Sequence, residues 1–522
     1  MKVSLLGICK DLQYVDEELG VSYIASVLRQ RGFKVEIKMC SEESIDYESI
    51  LDFEPKMIGV SVYSTTYVKA QEISRTLKKR STAYICWGGY FSSEYSVELL
   101  TKNEYIDFIC SGEGEENFVK LVEYIAKGEA INQIPGLVYR NADNVPVKNE
   151  QSENMIDFNS LPFPSRDILR QHKIKAAKIL FSRRSYSNKG SSEIKVRHAK
   201  NIVDEIEYIV NTYKVNRFDV LDHGFENEEY IQMLNEFTEE IERRNLKIYY
   251  YMYVTADFHD RVSVAFIERL KKSGLCGVFI DMETGNEMDR ILYGKAVSIE
   301  NYQRTLEYLH QNALHTSISF MNFNPYSTFE SLKMNASFLS EYHIISSFFI
   351  FQSLSISKKS PLYERVLVNG LLREHTDFYE FSYSNNDKRI GVLKEFMISY
   401  YDVYGIQSSQ YSKLCYFAID YLNLISYLKK EFCNNSQVLK IIKDNEFLIY
   451  ETLREIGSMF LEWFKSLLRL VENKWNYEQA LLISQDLLDF SILNAKINSL
   501  DKYKSKLVIN LFRLNSHYVD FL

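Results

Sequence analysis

The stretch 57-MIGVSVYSTTYVKAQEISRTLKKRSTAYICWGG-89 reads as strand, polar turn, amphipathic helix and strand. The apolar runs 57-MIGVSVYS-64 and 83-AYICWGG-89 each end in small or glycine residues. Between them, 67-YVKAQEISRTLKKR-80 repeats apolar residues at helical spacing. A strand, a helix and a strand in succession give a parallel pair with a crossover helix. The same alternation extends outward through 2-KVSLLGI-8, 19-LGVSYIASVLRQRG-32, 34-KVEIKMC-40 and 107-DFICSGEG-114. These units predict a doubly wound sheet of order 2-1-3-4-5. Its ligand crevice lies at the carboxyl ends, at the switch between strands one and three. The turns there are glycine-rich or small and polar: Tyr63-Ser64-Thr65-Thr66, Trp87-Gly88-Gly89-Tyr90 and Ser111-Gly112-Glu113-Gly114-Glu115. Glycine lets a backbone approach a flat ligand closely or take positive φ. Ordinary βα turns carry the same residues, so no turn is decisive alone.

The chain has 522 residues, 46% hydrophobic and 25% charged, enough for two or three globular domains. A net charge of −8 argues against a dedicated nucleic-acid binder. The seven cysteines, at 9, 40, 86, 110, 276, 415 and 433, have neither zinc-site nor disulfide-framework spacing. They read as buried cytosolic thiols. The N-terminal MKVSLLGICKDLQYV is too short for a membrane span and lacks a small-residue cleavage site. A soluble, cytoplasmic protein without a membrane partner is expected.

Past a hinge near 136-GLVYRNADNVPVKNEQ-151 the alternation resumes with longer units. Strands are expected at 178-KILFS-182, 217-RFDVLDHGF-225, 247-KIYYYMYV-254, 277-GVFIDME-283, 316-TSISFMNF-323 and 346-SSFFIFQSLSI-356. Six such units predict a partial (β/α)6 barrel that works at the carboxyl ends of its strands. From about 385 only helical periodicity remains, dense in aromatic residues, as in 439-LKIIKDNEFLIYETLREIGSMFLEWFKSLLRLVEN-473. The expected fold class is therefore α/β: a Rossmann-like domain over 1–135, a linker over 136–175, a barrel over 176–384 and a helical domain over 385–522.

The ordered motifs ELGVSYIASVLRQRGFKVEI, IGVSVYSTT, WGGYFSSEYSVELL, IDFICSGEGEENF and LPFPSRD resemble the cobalamin-binding domain of class B radical S-adenosylmethionine (SAM) enzymes. The resemblance implies that Ser64, Thr65, Gly88, Gly89, Gly112 and Gly114 border a corrinoid. All nine histidines lie at 172 or later, so none in this domain can be a lower ligand to cobalt. RHAKNIVDEIEYIVNTYKVNRFDVLDHGF and GVFIDMETGNEMDRILYGK extend the similarity into the barrel. Glu283 then corresponds to a position beside the SAM ribose. Asn322, Asn324 and Tyr326 stand where relatives have a glycine-rich turn, a departure at the same site.

In this family a Cys-x3-Cys-x2-Cys loop after the first barrel strand binds a [4Fe–4S] cluster that anchors SAM. The corresponding positions here are Ser185, Lys189 and Ser192 in 180-LFSRRSYSNKGSSEIKVRHAK-200. Serine stays protonated near neutral pH, and a lysine ammonium has no lone pair to donate. A shift of register changes nothing, because no cysteine occurs between Cys110 and Cys276. The [4Fe–4S] cluster is expected to be absent. Nine Lys/Arg against the single acid Glu193 between 173 and 200 read as a solvated face. The sharper alternative is an anion pocket made by Arg183, Arg184 and Lys189 with Ser185 and Ser192. Asp222 and His223 end the second barrel strand. Asp281 and Glu283 lie on the fourth, expected on opposite faces. The 113-EGEE-116 run is expected to belong to a loop and helix start.

The leading expectation is a cluster-less relative of cobalamin-dependent radical SAM enzymes. It would be an accessory component of a small-molecule or peptide pathway that binds cobalamin, a substrate or a partner enzyme. The alternative is a non-radical transferase that moves a methyl group with cobalamin or SAM. Catalytic residues, pathway and oligomeric state are not read from the sequence.

Overall fold

The five apolar runs of the N-terminal stretch form strands β1 Lys2–Cys9, β2 Lys34–Ser41, β3 Met57–Ser61, β4 Tyr84–Gly88 and β5 Phe108–Cys110. In the computed structural model they pair in parallel in the order β2-β1-β3-β4-β5, as expected. The structure describes all residues except 10–16, 42–44, 152–155, 173, 187–191, 223–224, 226, 374–378, 405–407 and 522. For 185–186, 192–193, 401–404, 408–409 and 520–521 it describes the backbone alone. Two compact units result, Met1–Ile248 and Tyr249–Leu522.

In the first unit, β1 is buried continuously from Val3 to Ile8, because helices cover both faces of a parallel sheet. Helix Leu19–Gln30 packs Val21, Ala25 and Leu28 into the core, and helix Gly114–Lys127 adds Phe118, Leu121 and Val122. The stretch expected as a hinge continues the sheet instead. β6 Leu137–Arg140 runs antiparallel to β5, and β7 Pro146–Lys148 antiparallel to β6. Asn141 shapes the turn by accepting from the Asp143 and Val145 amides at 3.0 and 2.9 Å. Asn144 supplies the left-handed residue, with φ +61°.

Beyond this sheet, β8 Ala176–Ile179 pairs in parallel with β11 Arg217–Val220. Helix Ala199–Tyr213 lies between them in sequence. The segment expected as an open loop is a β-hairpin, β9 Ser182–Tyr186 against β10 Ser192–Val196. Ser185 stands opposite Glu193, and Ser192 opposite Tyr186.

The second unit contains β12 Tyr249–Val254, β13 Leu275–Glu283 and β14 His315–Phe320, paired in parallel with β13 central. The strand expected at 346–356 is not formed; Ile344–Phe351 is a 3₁₀ helix. Its sequence, IISSFFIF, lacks period-two alternation, and an apolar run of that kind suits a helical turn as well as a strand. It packs on the 38-residue helix Ser436–Asn473, where the Phe351 ring lies 5.7 Å from Phe460 and 5.6 Å from Trp463. Gly457 permits this approach, because a Cβ there would collide with the Ile344 carbonyl oxygen. Gly457→Ala is expected to destabilise the unit by about 1–3 kcal/mol. A lowered thermal midpoint would register this; an unchanged midpoint would show that the two segments can part without cost. From Lys388 onward the described elements are all helical, as expected. No described helix is long and apolar enough to cross a membrane.

Candidate functional site

At the carboxyl ends of β1, β3, β4 and β5 the first unit opens a crevice of about 200 Å³. Its floor is apolar: Leu5 on β1, Val21 and Ile24 on helix Leu19–Gln30, and Phe118. Gly59, in the middle of β3, keeps the floor open. A Cβ there would come within 2.8 Å of Leu5 Cδ2 and 2.9 Å of Phe118 Cζ. Cys86 and Cys110 contribute thiols whose sulfurs lie 3.6 Å apart. Burial pushes the Cys86 thiol well above its ordinary pKa, so it is an inert lining group rather than a nucleophile.

The rim is glycine backbone. Gly88, Gly89, Gly112 and Gly114 all line the opening. Gly89 at φ +101° and Gly112 at φ +93° hold conformations that side-chain residues rarely take. Of the six residues expected to border a ligand, these four are brought together. Ser64 and Thr65 are not among the lining residues; both are exposed, at the start of the one-turn helix Ser64–Thr66. Ser61, at the last position of β3, lines the crevice in their place.

Arg183 of β9 also reaches this rim. It donates to Glu113 and to Glu115, each at 2.7 Å, and lies 4.7 Å from the Phe158 ring centroid. Burial opposes its charge, but Glu115 and Glu113 outweigh that effect and hold its pKa above the usual arginine value. Burial likewise raises the pKa of Glu113, against the pull of Arg183. Arg183 is therefore engaged by two carboxylates of its own chain. This corrects the anion-pocket expectation at its first member. Arg184 stands opposite Ile194 in the hairpin register. Lys189 lies outside the described residues, as do the side chains of Ser185 and Ser192. The 113-EGEE-116 run behaves as expected, with Glu113 preceding helix Gly114–Lys127.

The first unit also contains a buried ionic network with no local sequence signal. Arg166 donates to Glu17 at 2.8 Å and to the Lys178 carbonyl at 2.9 Å, and it also pairs with Glu205. Arg197 pairs with the same Glu205. These side chains are 1–2% exposed. The network joins the loop after β1, the LPFPSRD segment and helix Ala199–Tyr213.

Asp222, just past β11, accepts from the Phe181 amide at 2.6 Å and from the Ser182 hydroxyl at 2.8 Å. It anchors the start of the hairpin that replaces the expected loop. Burial raises its pKa from 3.8 to about 6, against those hydrogen bonds. Between the two values the folded chain keeps a proton that the unfolded chain has released. The contribution is present in full below about pH 4 and falls as pH rises through 6, by at most about 3 kcal/mol. Asp222→Asn is expected to lose this dependence, so its stability relative to wild type should rise between pH 4.5 and 7. A constant difference in urea midpoint across that range would contradict the assignment. His223 lies outside the described residues.

In the second unit, Glu283 ends β13 with φ +67°, a strained value for glutamate. Lys295 holds both Glu283 and Asp281, each at 3.0 Å. The two acids thus share a side, contrary to expectation, because residues two apart on a strand face the same way. Burial and the neighbouring Asp281 raise the pKa of Glu283, against Lys295. Asn324 donates to Asp289 at 2.8 Å, and Asn335 donates to Asn322 at 3.3 Å, so these asparagines satisfy a buried polar core.

Residues 7–122 match the B12 binding domain family. Over the whole chain, the structure superposes on the cobalamin-dependent SAM radical enzyme OxsB, solved with aqua-cobalamin and SAM bound. The TM-score is 0.68 at 18% identity, covering 97% of this chain and 84% of that one. The chain has the fold of the cobalamin-dependent radical SAM enzymes. The radical SAM methyltransferase TsrM of Kitasatospora setae is also similar, with TM-score 0.56 at 16% identity over 72% of this chain and 79% of that one. In sequence, the chain is 26% identical to an uncharacterized methyltransferase of Pyrococcus horikoshii over 39% of its own length and 50% of the relative's. It is 24% identical to the anaerobic magnesium-protoporphyrin IX monomethyl ester cyclase of Rubrivivax gelatinosus over 58% of each chain. The chain thus spans about half of these curated relatives' length.

The lining residues of the crevice suit a corrinoid. The glycine rim leaves room for a flat group above the sheet, and the apolar floor would be filled by a Cβ at Gly59. Two floor residues escaped the sequence reading although their signal was present. Gly59 interrupts an apolar strand, which marks close approach of another group, and Gly20 opens helix Leu19–Gln30.

Proposed function

We propose that the protein is a corrinoid-binding, cluster-less relative of the cobalamin-dependent radical SAM enzymes. In this reading it acts as an accessory component of a biosynthetic pathway, not as a generator of radicals. The observation that carries it is the cysteine-free span between Cys110 and Cys276, which includes the whole first barrel loop. The hairpin β9–β10 supports it, since the segment that would carry the cluster ligands pairs as two strands. The residues do not fit a [4Fe–4S] cluster, and no step is derived through one.

A bound corrinoid supplies a cobalt that can carry a methyl group. The chain's part is to hold it. Gly88, Gly89, Gly112 and Gly114 would give it backbone access, Ser61 would offer a hydroxyl, and Leu5, Val21 and Phe118 would supply an apolar floor. No histidine of the domain competes for the metal.

The second reading is polar methyl transfer, favoured by Glu283, which a nucleoside hydroxyl could approach without any cluster. Protein purified in air and mixed with hydroxocobalamin and SAM separates the two. Retention of a corrinoid absorbance band with no heat of SAM binding is expected. Binding of both with methyl turnover would establish the transferase, and retention of neither would refute both readings.

A further inference from the structure

The second unit holds a separate cavity of about 500 Å³, between the segment Ser353–Ser355, the strip Phe381–Tyr383 and helix Lys388–Tyr404. Lys394 enters it from the helix. Its Nζ lies 4.7 Å from the Tyr383 ring centroid, and among the described residues it has no hydrogen-bond or ion-pair partner. Of the other charged groups on the cavity wall, Arg373 pairs with Glu395 at 2.9 Å, and Glu380 accepts from the Ser355 hydroxyl at 2.7 Å. Ser353 and Ser382 add hydroxyls, while Leu354 and Ile398 supply apolar wall. An ammonium drawn partly out of water, with no ion-pair partner among the described residues, is costly, and an incoming anion would relieve that cost. Burial and the nearby Arg373 lower the pKa of Lys394 to about 8, against the effect of Glu395.

We propose that this cavity is a binding site for a small oxyanion, a carboxylate or a phosphate monoester, held by Lys394 with its body against Leu354 and Ile398. The site does not involve the corrinoid crevice, so it stands or falls independently of the proposed function.

Pyridoxal 5′-phosphate tests it, since it carries both a phosphate and an aldehyde. At pH 8 the Lys394 amine condenses with the aldehyde, a C–N bond forms and water leaves. Borohydride then delivers hydride to the imine and fixes the label as a secondary amine. About half of Lys394 is neutral at that pH, against well under a hundredth of an ordinary lysine. Peptide mapping of the full-length protein should place the label on Lys394 at least about tenfold ahead of other lysines. Inorganic phosphate or succinate should suppress it, and which of the two acts better names the ligand class. Lys394→Met should lose the label. Labelling spread over many lysines, or labelling of Lys394 that neither anion suppresses, would overturn the proposal. The wild-type competition alone decides the matter if the variant fails to fold.

Discussion

Arg166→Met is expected to destabilise the first unit by about 3–5 kcal/mol, enough to unfold much of a marginally stable domain. Arginine and methionine have similar reach, so the cavity left behind is small. The cost arises from charge. Arg166 is the shared partner of Glu17 and Glu205, each 1% exposed. Without it, Glu17 keeps the Lys178 amide at 2.8 Å but loses its only cationic partner in the network. Burial already raises the Glu17 pKa against the pull of Arg166, so removing the arginine drives the carboxyl further toward protonation. Two consequences are measurable by urea unfolding. The variant should be least impaired at low pH, where Glu17 is neutral. Glu17→Gln should recover part of the loss in the Arg166→Met background. A loss below about 1 kcal/mol would mean that water reaches the network.

Ser61→Trp is expected to weaken hydroxocobalamin binding by at least about 100-fold, or about 2.7 kcal/mol. Ser61 stands at the carboxyl end of β3, half-buried, with its side chain in the crevice wall. An indole there takes up much of the 200 Å³ space without entering the buried core. Circular dichroism should therefore remain that of the wild type, which separates a blocked site from a lost fold. Unchanged affinity would place the corrinoid elsewhere.

The first sheet was legible because its strands are short apolar runs closed by Gly, Ser or Thr and separated by helical periodicity. The doubly wound order followed from that alternation alone. Elements defined by antiparallel local pairing were missed. The turn at Asn141–Asn144 and the alternation in Glu-Ile-Lys-Val were both present in the sequence, but each sat where a linker or loop was expected, and Ser-Arg-Arg-Ser-Tyr carries no alternation at all. The 344–351 helix differs from the expected strand for the opposite reason: its mostly apolar run, with Ser346 and Ser347 adjacent, carries no period of two. At the site, glycines announced the rim. The ion pairs of Arg183 and Arg166 span 39 to 149 residues, and nothing in a local window points to them. Long-range charge pairing is a property of the packed fold, and the nine basic residues near the hairpin gave no hint which were neutralised inside it.

The proposed function requires a corrinoid site retained in a chain without cluster ligands. Anaerobic reconstitution of the full-length protein with hydroxocobalamin, ferrous iron and sulfide, followed by desalting and metal analysis, tests it most directly. Stoichiometric cobalt without stoichiometric iron is predicted, with no deoxyadenosine formed from SAM under reducing conditions. Four irons and four sulfides per chain, with SAM cleavage, would contradict it.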